Sequence, residues 1–295
     1  MPAYNKGNVI RGGFGSTFKR LVCHASCRDP EICDLRQVCP YTAVFHPFVP
    51  ADSEKIRLNR DIPRPFVIKP PLEARETYLP GEKLSFDFVV LGKAKEYLPY
   101  FIVTFKELSR AGLGQGRTAV ELDAVWHIGL DSSKYSVFSG DGNLVQPPKK
   151  AIAWRDLPGV PGARRVTLRF LTATMLKANG VTVRKPAFGP LAKRLRDRIS
   201  SLAYFYCGQE LDIDFRAFGE KADKIKTLAD STRWVESARY SKRRAVTQDL
   251  SGFVGDVTFE GDLEPFLPYL KLGEYLHVGK NAVFGNGWYE IAHIG

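Results

Sequence analysis

The stretch "RRVTLRFLTATML" (residues 164–176) alternates apolar and polar side chains, with Val166, Leu168 and Phe170 as the apolar set. A period of two residues predicts a β-strand with one buried face. A helix is predicted to follow from Pro186, because apolar residues then recur at steps of three or four, namely Leu191, Leu195, Ile199, Leu202 and Tyr206. This segment therefore predicts a strand covered by an amphipathic helix.

The rest of the second half extends this pattern. Residues 232–244 and 250–263 have the composition of strands, "LEPFLPYLKL" (263–272) predicts a short helix capped by Asp262, and residues 286–294 predict a last strand. The order β-α-β-β-α-β is ferredoxin-like. In RNA-binding versions of this topology, the open sheet face or its edges hold single-stranded RNA.

The first half has a similar but less complete pattern. We predict a helix at 11–22, a strand at 83–92, a helix at 95–112 and a strand at 116–128. Only ten residues precede the first helix, so this unit would lack its opening strand. Prolines and glycines between 146 and 165 predict a linker. We therefore expect an α+β protein with domains at 1–155 and 160–295.

The charge of the chain favours a polyanionic partner. The 295 residues carry a formal net charge of +11, with a pI near 9.4. Phosphate contacts supply much of the affinity of basic proteins for nucleic acids, although a basic charge is also compatible with a merely soluble protein. No apolar run is long enough to span a membrane, and "MPAYNKGNVIRGG" lacks the apolar core of a signal peptide. We expect a cytoplasmic protein with no membrane partner.

Four of the five cysteines lie close together in the sequence, in the pattern C-x3-C-x5-C-x5-C: Cys23, Cys27, Cys33 and Cys39. Four thiolates can hold a structural zinc ion or an iron–sulfur cluster. The alternative is a set of scattered reduced thiols, as expected in the cytosol. Cys207 stands alone and predicts a small buried side chain.

The stretch "GEYLHVGKNAVFGNGWYEI" (273–291) places Gly279, Gly285 and Gly287 beside His277 and Lys280. Glycine permits positive φ angles and close approach of a ligand, and successive backbone N–H groups can hold a phosphate. We predict that these glycines and Lys280 bind RNA. Plain turn formation is the alternative.

Several segments together carry a family resemblance. They are "YNKGNVIRGGFGSTFKRLVC" (4–23), "CPYTAVF" (39–45), "GLGQGR" (112–117), "LRFLTATMLKANG" (168–180), the block from 240 to 280, and "FGNGWYEI" (284–291). The chain resembles the CRISPR-associated endoribonucleases that process precursor RNA, the sixth Cas family of the RAMP superfamily. It departs from that family at the start, where members have a strand before "RGGFG"; either the start is truncated or the first domain is built incompletely.

The resemblance implies two tandem ferredoxin-like (RRM-like) domains and cleavage of CRISPR repeat RNA to release guide RNA. The implied chemistry needs no metal or other cofactor: a ribose 2′-OH attacks the adjacent phosphorus and leaves a 2′,3′-cyclic phosphate. A CRISPR effector complex is a further implied partner.

This chemistry requires an acid and a base, and histidine can serve as either. Of the five histidines, we select His277 for its place beside the glycines and His24 and His46 for their places near the first helix. His127 ends a predicted strand and is interpreted as structural, and His293 lies two residues from the end of the sequence. The predicted RNA-binding cations besides Lys280 are Arg11, Lys19, Arg20, Arg117, Arg239, Lys242 and Arg243; the last three interleave with Tyr240 in "RYSKRR", a mixture that suits stacking and phosphate contacts.

Two other functions fit the same sequence. The first is a non-catalytic RAMP subunit that holds guide RNA inside an effector complex. The second is a metal-dependent redox or regulatory protein that uses the cysteine cluster.

Overall fold

The computed structural model describes residues 6–24, 27, 29–49, 62–114, 116–142, 144–241 and 246–295. The chain forms two compact units. One comprises Met1–Phe66, Glu73–Leu84 and Val90–Asp156, and the other comprises Val67–Leu72, Ser85–Val89 and Leu157–Gly295.

The first half of the chain contains four α-helices and four strands among the described residues. In chain order they are α1 (Lys6–Val22), α2 (Pro40–Phe45), β1 (Phe66–Lys69), β2 (Asp87–Val90), α3 (Leu98–Lys106), α4 (Leu108–Ala111), β3 (Ala124–Ile128) and β4 (Lys134–Ser139). β1 pairs with β2, and β3 pairs with β4 in an antiparallel hairpin. Most residues of the β1–β2 pair belong to the second unit.

The core of the first unit is aromatic. Phe14 on α1 stacks on Phe105 of α3 at 5.0 Å between ring centroids and contacts Phe18, Phe45 and Phe66 at 5.5–5.7 Å in the same cluster of rings. Such ring pairs add to the free energy gained from apolar burial. These ring contacts fix α1 against α2 and α3. They thereby position the polar side chains of α1 and α2 that are described below.

The predictions for this half were correct in type but not in length. The first helix begins at Lys6 rather than residue 11, and among the described residues no strand precedes it. The predicted helix 95–112 is divided into a 3-10 turn (Gly92–Tyr97), α3 and α4, and Pro99 lies in the first turn of α3, where proline is tolerated. Only the last part of the predicted strand 116–128 forms β3.

Among the described residues, the second unit continues with nine strands and three α-helices. They are β5 (Arg165–Thr174), β6 (Leu176–Ala178), β7 (Val181–Val183), α5 (Phe188–Leu202), α6 (Phe215–Asp223), β8 (Lys226–Asp230), β9 (Arg233–Val235), β10 (Ala238–Ser241), β11 (Val246–Asp249), β12 (Gly252–Glu260), α7 (Leu267–Leu276) and β13 (Tyr289–Ile294). A turn of π-helix, Ala203–Cys207, extends α5.

The main sheet has the strand order β13-β5-β12-β8, with β9 also paired to β12, and all neighbours are antiparallel. This order confirms the predicted ferredoxin-like unit. The alternation read in the sequence is also confirmed, because Val166, Leu168 and Phe170 of β5 are at most 2% exposed. On the covering helices, Phe188 of α5 packs edge-on against Phe259 and Phe266 at 5.1 Å.

Two readings of this half were wrong. The run 232–244 is not one strand: it contains β9 and then β10, which turns back to pair with β11. β8 also pairs with β12. The sequence did not reveal β8, because Lys226, Thr227, Leu228 and Ala229 are all exposed and show no alternation of buried and exposed side chains. Within the described residues, no helix is both long enough and apolar enough to cross a membrane.

Candidate active site and nucleic-acid interface

His277 lies inside the second unit. It caps the C-terminus of α7 with φ 59° and is 0% exposed. Its ring stacks on Trp288 at 5.9 Å with an interplanar angle of 3°, and Nδ1 lies 3.1 Å from the carbonyl oxygen of Asn286. A carbonyl only accepts, so Nδ1 carries the proton and Nε2 is left with a lone pair. Nε2 is buried and has no hydrogen-bond partner in the structure.

Charges around His277 keep the ring neutral. Burial lowers the pKa of His277 well below 6.5, and the nearby cations Lys69 and Arg198 lower this pKa further. Because the ring is fully buried, RNA cannot reach it for proton transfer. The direct catalytic role predicted for His277 therefore conflicts with its position in the structure.

The residues around His277 form a polar group that the sequence did not indicate. The Lys69 ammonium lies 4.8 Å from the Tyr275 ring and 5.2 Å from the Trp288 ring, which are cation–π distances. Burial lowers the pKa of Lys69 and raises the pKa of Glu274. We call Lys69, Arg198, Glu274, His277 and Trp288 the His277 cluster; Lys69 and Arg198 are far from the other three in the sequence, so no local pattern could reveal the whole cluster.

The glycines of the C-terminal loop serve the packing of the protein itself. Gly279, Gly285 and Gly287 all have positive φ, at 83°, 90° and 74°. A Cβ on Gly287 would lie 1.8 Å from the carbonyl oxygen of Val278, and one on Gly279 would lie 2.4 Å from that of Met175. The need for glycine is confirmed, but the close approach is to protein backbone. Gly285 and Gly287 are buried, so RNA contact by these two residues conflicts with the structure.

Lys280 is the exposed part of this loop, and a second lysine lies beside it. The pKa of Lys280 is lowered first by partial burial and then by the charge of Lys177 on β6, which is close enough for a hydrogen-bonding contact. Asp249 offsets part of this repulsion. Two ammonium groups side by side attract an anion such as a phosphate. Lys177 was missed because its proximity to Lys280 depends on the β6–β7 hairpin.

Arg239 of β10 and Arg184, which directly follows β7, are further cations of the second unit. The Arg239 guanidinium lies 4.7 Å from the Phe284 ring, and the Arg184 guanidinium lies 4.9 Å from the Trp234 ring. Lys242 and Arg243 lie outside the described residues.

The first unit presents a second group of candidates on α1 and α2. His46 ends α2 and lies 5.4 Å from the Tyr41 ring, over which the Lys19 ammonium lies at 5.8 Å. The Arg11 guanidinium lies 5.1 Å from the Phe45 ring. We call Lys19, Tyr41 and His46 the His46 cluster. It is accessible, because Lys19 and His46 are each partly exposed.

The remaining predicted residues of the first unit lie at the surface. His24 and Arg20, at the end of α1, are exposed. Arg117 is exposed on a turn with φ 48°, where Leu113 and Thr118 form an isolated bridge. These positions leave each side chain accessible to a ligand.

All four clustered cysteines face one cavity of about 160 Å³, which His24 also lines. The Cys23 thiol lies within hydrogen-bonding reach of those of Cys27 and Cys39, and burial together with these neighbours raises the pKa of Cys23 to about 12. In the described part of the chain, no three or more His, Cys, Asp or Glu side chains form a ready-made metal site. Cys207 is exposed, so its predicted burial was wrong.

Two families match the chain. Residues 168–289 match the family described as CRISPR-associated endoribonuclease Cas6, and residues 1–150 match AF_1859_N, described as an N-terminal domain. A curated relative, an uncharacterized protein of Archaeoglobus fulgidus, is 33% identical over 107 residues. That alignment spans 36% of this chain and 35% of the relative, so it reaches little more than a third of either protein.

Solved structures share the fold over nearly the whole chain. A Cas6 (TTHB231) product complex has a TM-score of 0.58 at 17% identity, covering 99% of this chain and 94% of that one. Thermus thermophilus Cas6 (TTHB231) has a TM-score of 0.50 at 17% identity, covering 98% and 92%. These similarities support the expected α+β fold in both halves of the chain.

Proposed function

We propose that this chain, which belongs to the Cas6-type CRISPR-associated endoribonucleases and carries the AF_1859_N N-terminal domain, cuts precursor CRISPR RNA within its repeats without a metal ion. The observation that carries the proposal is the His46 cluster. It places the His46 imidazole and the Lys19 ammonium, both partly exposed, against the buried ring of Tyr41 in the first unit.

The proposed reaction is an internal transfer. The ribose 2′-oxygen forms a bond to the adjacent phosphorus while the bond from phosphorus to the 5′-oxygen breaks. The 2′-OH proton goes to a base, and the leaving 5′-oxygen takes a proton from an acid. The products are a 2′,3′-cyclic phosphate and a 5′-OH, and no electron transfer or bound metal is needed.

His46 is proposed as the proton-transfer group. Imidazoles titrate near neutral pH, so the same side chain type can act as base or acid. Tyr41 orients the ring through a tilted ring contact, and Lys19 stabilises the negative charge that develops on the phosphorus oxygens. His24, which is exposed at the end of α1, is the second candidate for the complementary proton transfer.

The second unit is proposed to hold the RNA backbone. Lys280 and Lys177 lie within hydrogen-bonding reach of each other, and Arg239 adds a guanidinium on the β10–β11 hairpin. Because their contacts would be to phosphates, losing one should weaken binding without changing sequence preference. Repeat RNA is therefore the proposed partner. If the protein keeps the cleaved guide RNA bound, it would associate with an effector complex through that RNA.

The test is cleavage of repeat RNA by the full chain in EDTA, with end-group analysis of the products. We expect a 2′,3′-cyclic phosphate, and no product from RNA carrying a 2′-deoxy nucleotide on the 5′ side of the cut. His46→Ala should slow cleavage at least about 100-fold, the usual contribution of a general acid or base, with an unchanged Kd for the deoxy RNA.

His127→Ala, which changes a histidine of the β3–β4 hairpin outside the His46 cluster, is the matched control and should cleave normally. If the wild-type chain binds repeat RNA but never cuts it, the protein is a non-catalytic RAMP subunit. If cleavage requires an added divalent metal, the proposed mechanism is wrong.

A further inference from the structure

The segment between α1 and α2 has very little internal support. Its described residues form turns, without a helix or strand. Three of its apolar side chains are mostly exposed: Ile32 at 81%, Leu35 at 56% and Val38 at 76%. A segment that buries so little apolar surface has no core of its own to offset the entropy lost on ordering.

The four thiols are the feature that joins this segment to the helices. Cys23 directly follows α1, Cys39 is the N-cap residue of α2, and Cys27 and Cys33 lie between them. Backbone bonds hold the turns that carry them, from Cys27 N to the His24 oxygen at 2.9 Å and from Cys39 N to the Leu35 oxygen at 2.9 Å. The thiols form a contact chain in the order Cys39, Cys23, Cys27, Cys33, and all four are free.

We propose that Cys23, Cys27, Cys33 and Cys39 bind one zinc ion as thiolates, and that this ion fixes the segment against α1 and α2. Zinc in structural sites is tetrahedral with Zn–S bonds of about 2.3 Å, which places neighbouring sulfurs about 3.8 Å apart. The four thiols already line one cavity, and the Cys23 thiol is within hydrogen-bonding reach of two of the others. Because no three ligands are yet at bonding geometry, binding draws the sulfurs together and displaces the thiol protons.

The four proposed ligands take no part in the cleavage chemistry, although His24, the second candidate for proton transfer, lines the same cavity. No cysteine belongs to the His46 cluster, and the proposed transfer reaction uses no metal. The expected role is structural: the ion replaces the missing apolar core of the segment, as it does in small domains that fold only with metal. If the protein bound no zinc, the cleavage proposal would still stand, because metal content is measured in the absence of RNA.

Metal analysis of the full chain, purified under reducing conditions, tests the proposal. We expect about one zinc per chain, the stoichiometry of a four-thiolate structural site. After the zinc is removed, Co²⁺ alone should restore the metal content and produce the thiolate-to-cobalt charge-transfer bands of a tetrahedral site. Cys27→Ser and Cys33→Ser should each lower zinc content and expose the segment to limited proteolysis.

Cys207→Ser is the matched control, because Cys207 is an exposed cysteine outside the cluster, and it should keep the full zinc content. Zinc-free protein that binds neither Zn²⁺ nor Co²⁺ would overturn the proposal, and these measurements use the wild-type chain, so a misfolded variant cannot obscure them. Iron with acid-labile sulfide, or disulfides among the four cysteines after reducing purification, would overturn it as well.

Discussion

His277 contributes to stability through packing and one hydrogen bond. Replacing it with alanine removes the stacking on Trp288 and the bond to the Asn286 oxygen, and leaves a cavity beside Lys69. We expect His277→Ala to lower the free energy of unfolding by about 2–4 kcal/mol, measured by urea denaturation. His293→Ala, which alters an exposed histidine, should have almost no effect. Equal stability of the two variants would show that the His277 ring is not packed as described.

The same residue predicts a pH dependence of stability. Since the folded pKa of His277 lies well below 6.5, the unfolded chain binds a proton at higher pH than the folded chain does. The free energy of unfolding therefore falls as the pH is lowered from about 6.5 towards the folded pKa. Burial raises the pKa of Glu274, which acts in the opposite direction, so the quantity to measure is wild type minus His277→Ala. A difference that grows on acidification would contradict this prediction.

At the level of elements, the glycine loop makes a sharp prediction. Gly287→Ala places a methyl group against the carbonyl of Val278, while Gly180→Ala changes a glycine of similar φ, 82°, that has open space around it. Both variants pay for an alanine at positive φ, about 1 kcal/mol. Gly287→Ala should lose at least about 2 kcal/mol more, because backbone must move, and thermal denaturation would measure this. Similar losses would mean that the loop is not packed on Val278.

Elements with a strong local period were predictable from sequence, and the others were not. The spacing of Leu191, Leu195 and Ile199 revealed α5 because a helix buries every third or fourth residue. β8 was missed because its side chains are exposed and it is held by backbone pairing to β12. The run 232–244 was predicted as one strand because its composition is strand-like throughout, including the turn between β9 and β10.

The candidate site was predictable only where its chemistry is local. Spacing alone brought out the four cysteines, and the structure places them around one cavity. The glycine loop was predicted to contact RNA, but it packs against protein backbone. A positive φ angle allows either one to approach closely, so the sequence could not distinguish them. Lys69 and Lys177 were missed because the fold, and not the sequence, brings them beside His277 and Lys280.

For the whole molecule, the net charge of +11 predicts salt-sensitive binding of RNA. The logarithm of the binding constant should fall linearly with the logarithm of salt concentration, with a slope of about −0.7 for each phosphate contacted on a single strand. Lys280→Gln and Lys19→Gln should each make that slope shallower by about this amount. Lys224→Gln, at an exposed lysine outside the proposed interface, is the control. Unchanged slopes in both variants would remove these lysines from the interface.

The strand order of the second unit also determines when this protein can fold during synthesis. Arg169 of β5 bonds to Asp256 of β12, 87 residues later, and to Glu290 of β13, 121 residues later. The central strand therefore leaves the ribosome well before either flanking strand, with both hydrogen-bonding edges open. Distant pairings of this kind slow folding and expose nascent chains to aggregation, so the open edges of β5 are a point at which the nascent protein can aggregate during that interval.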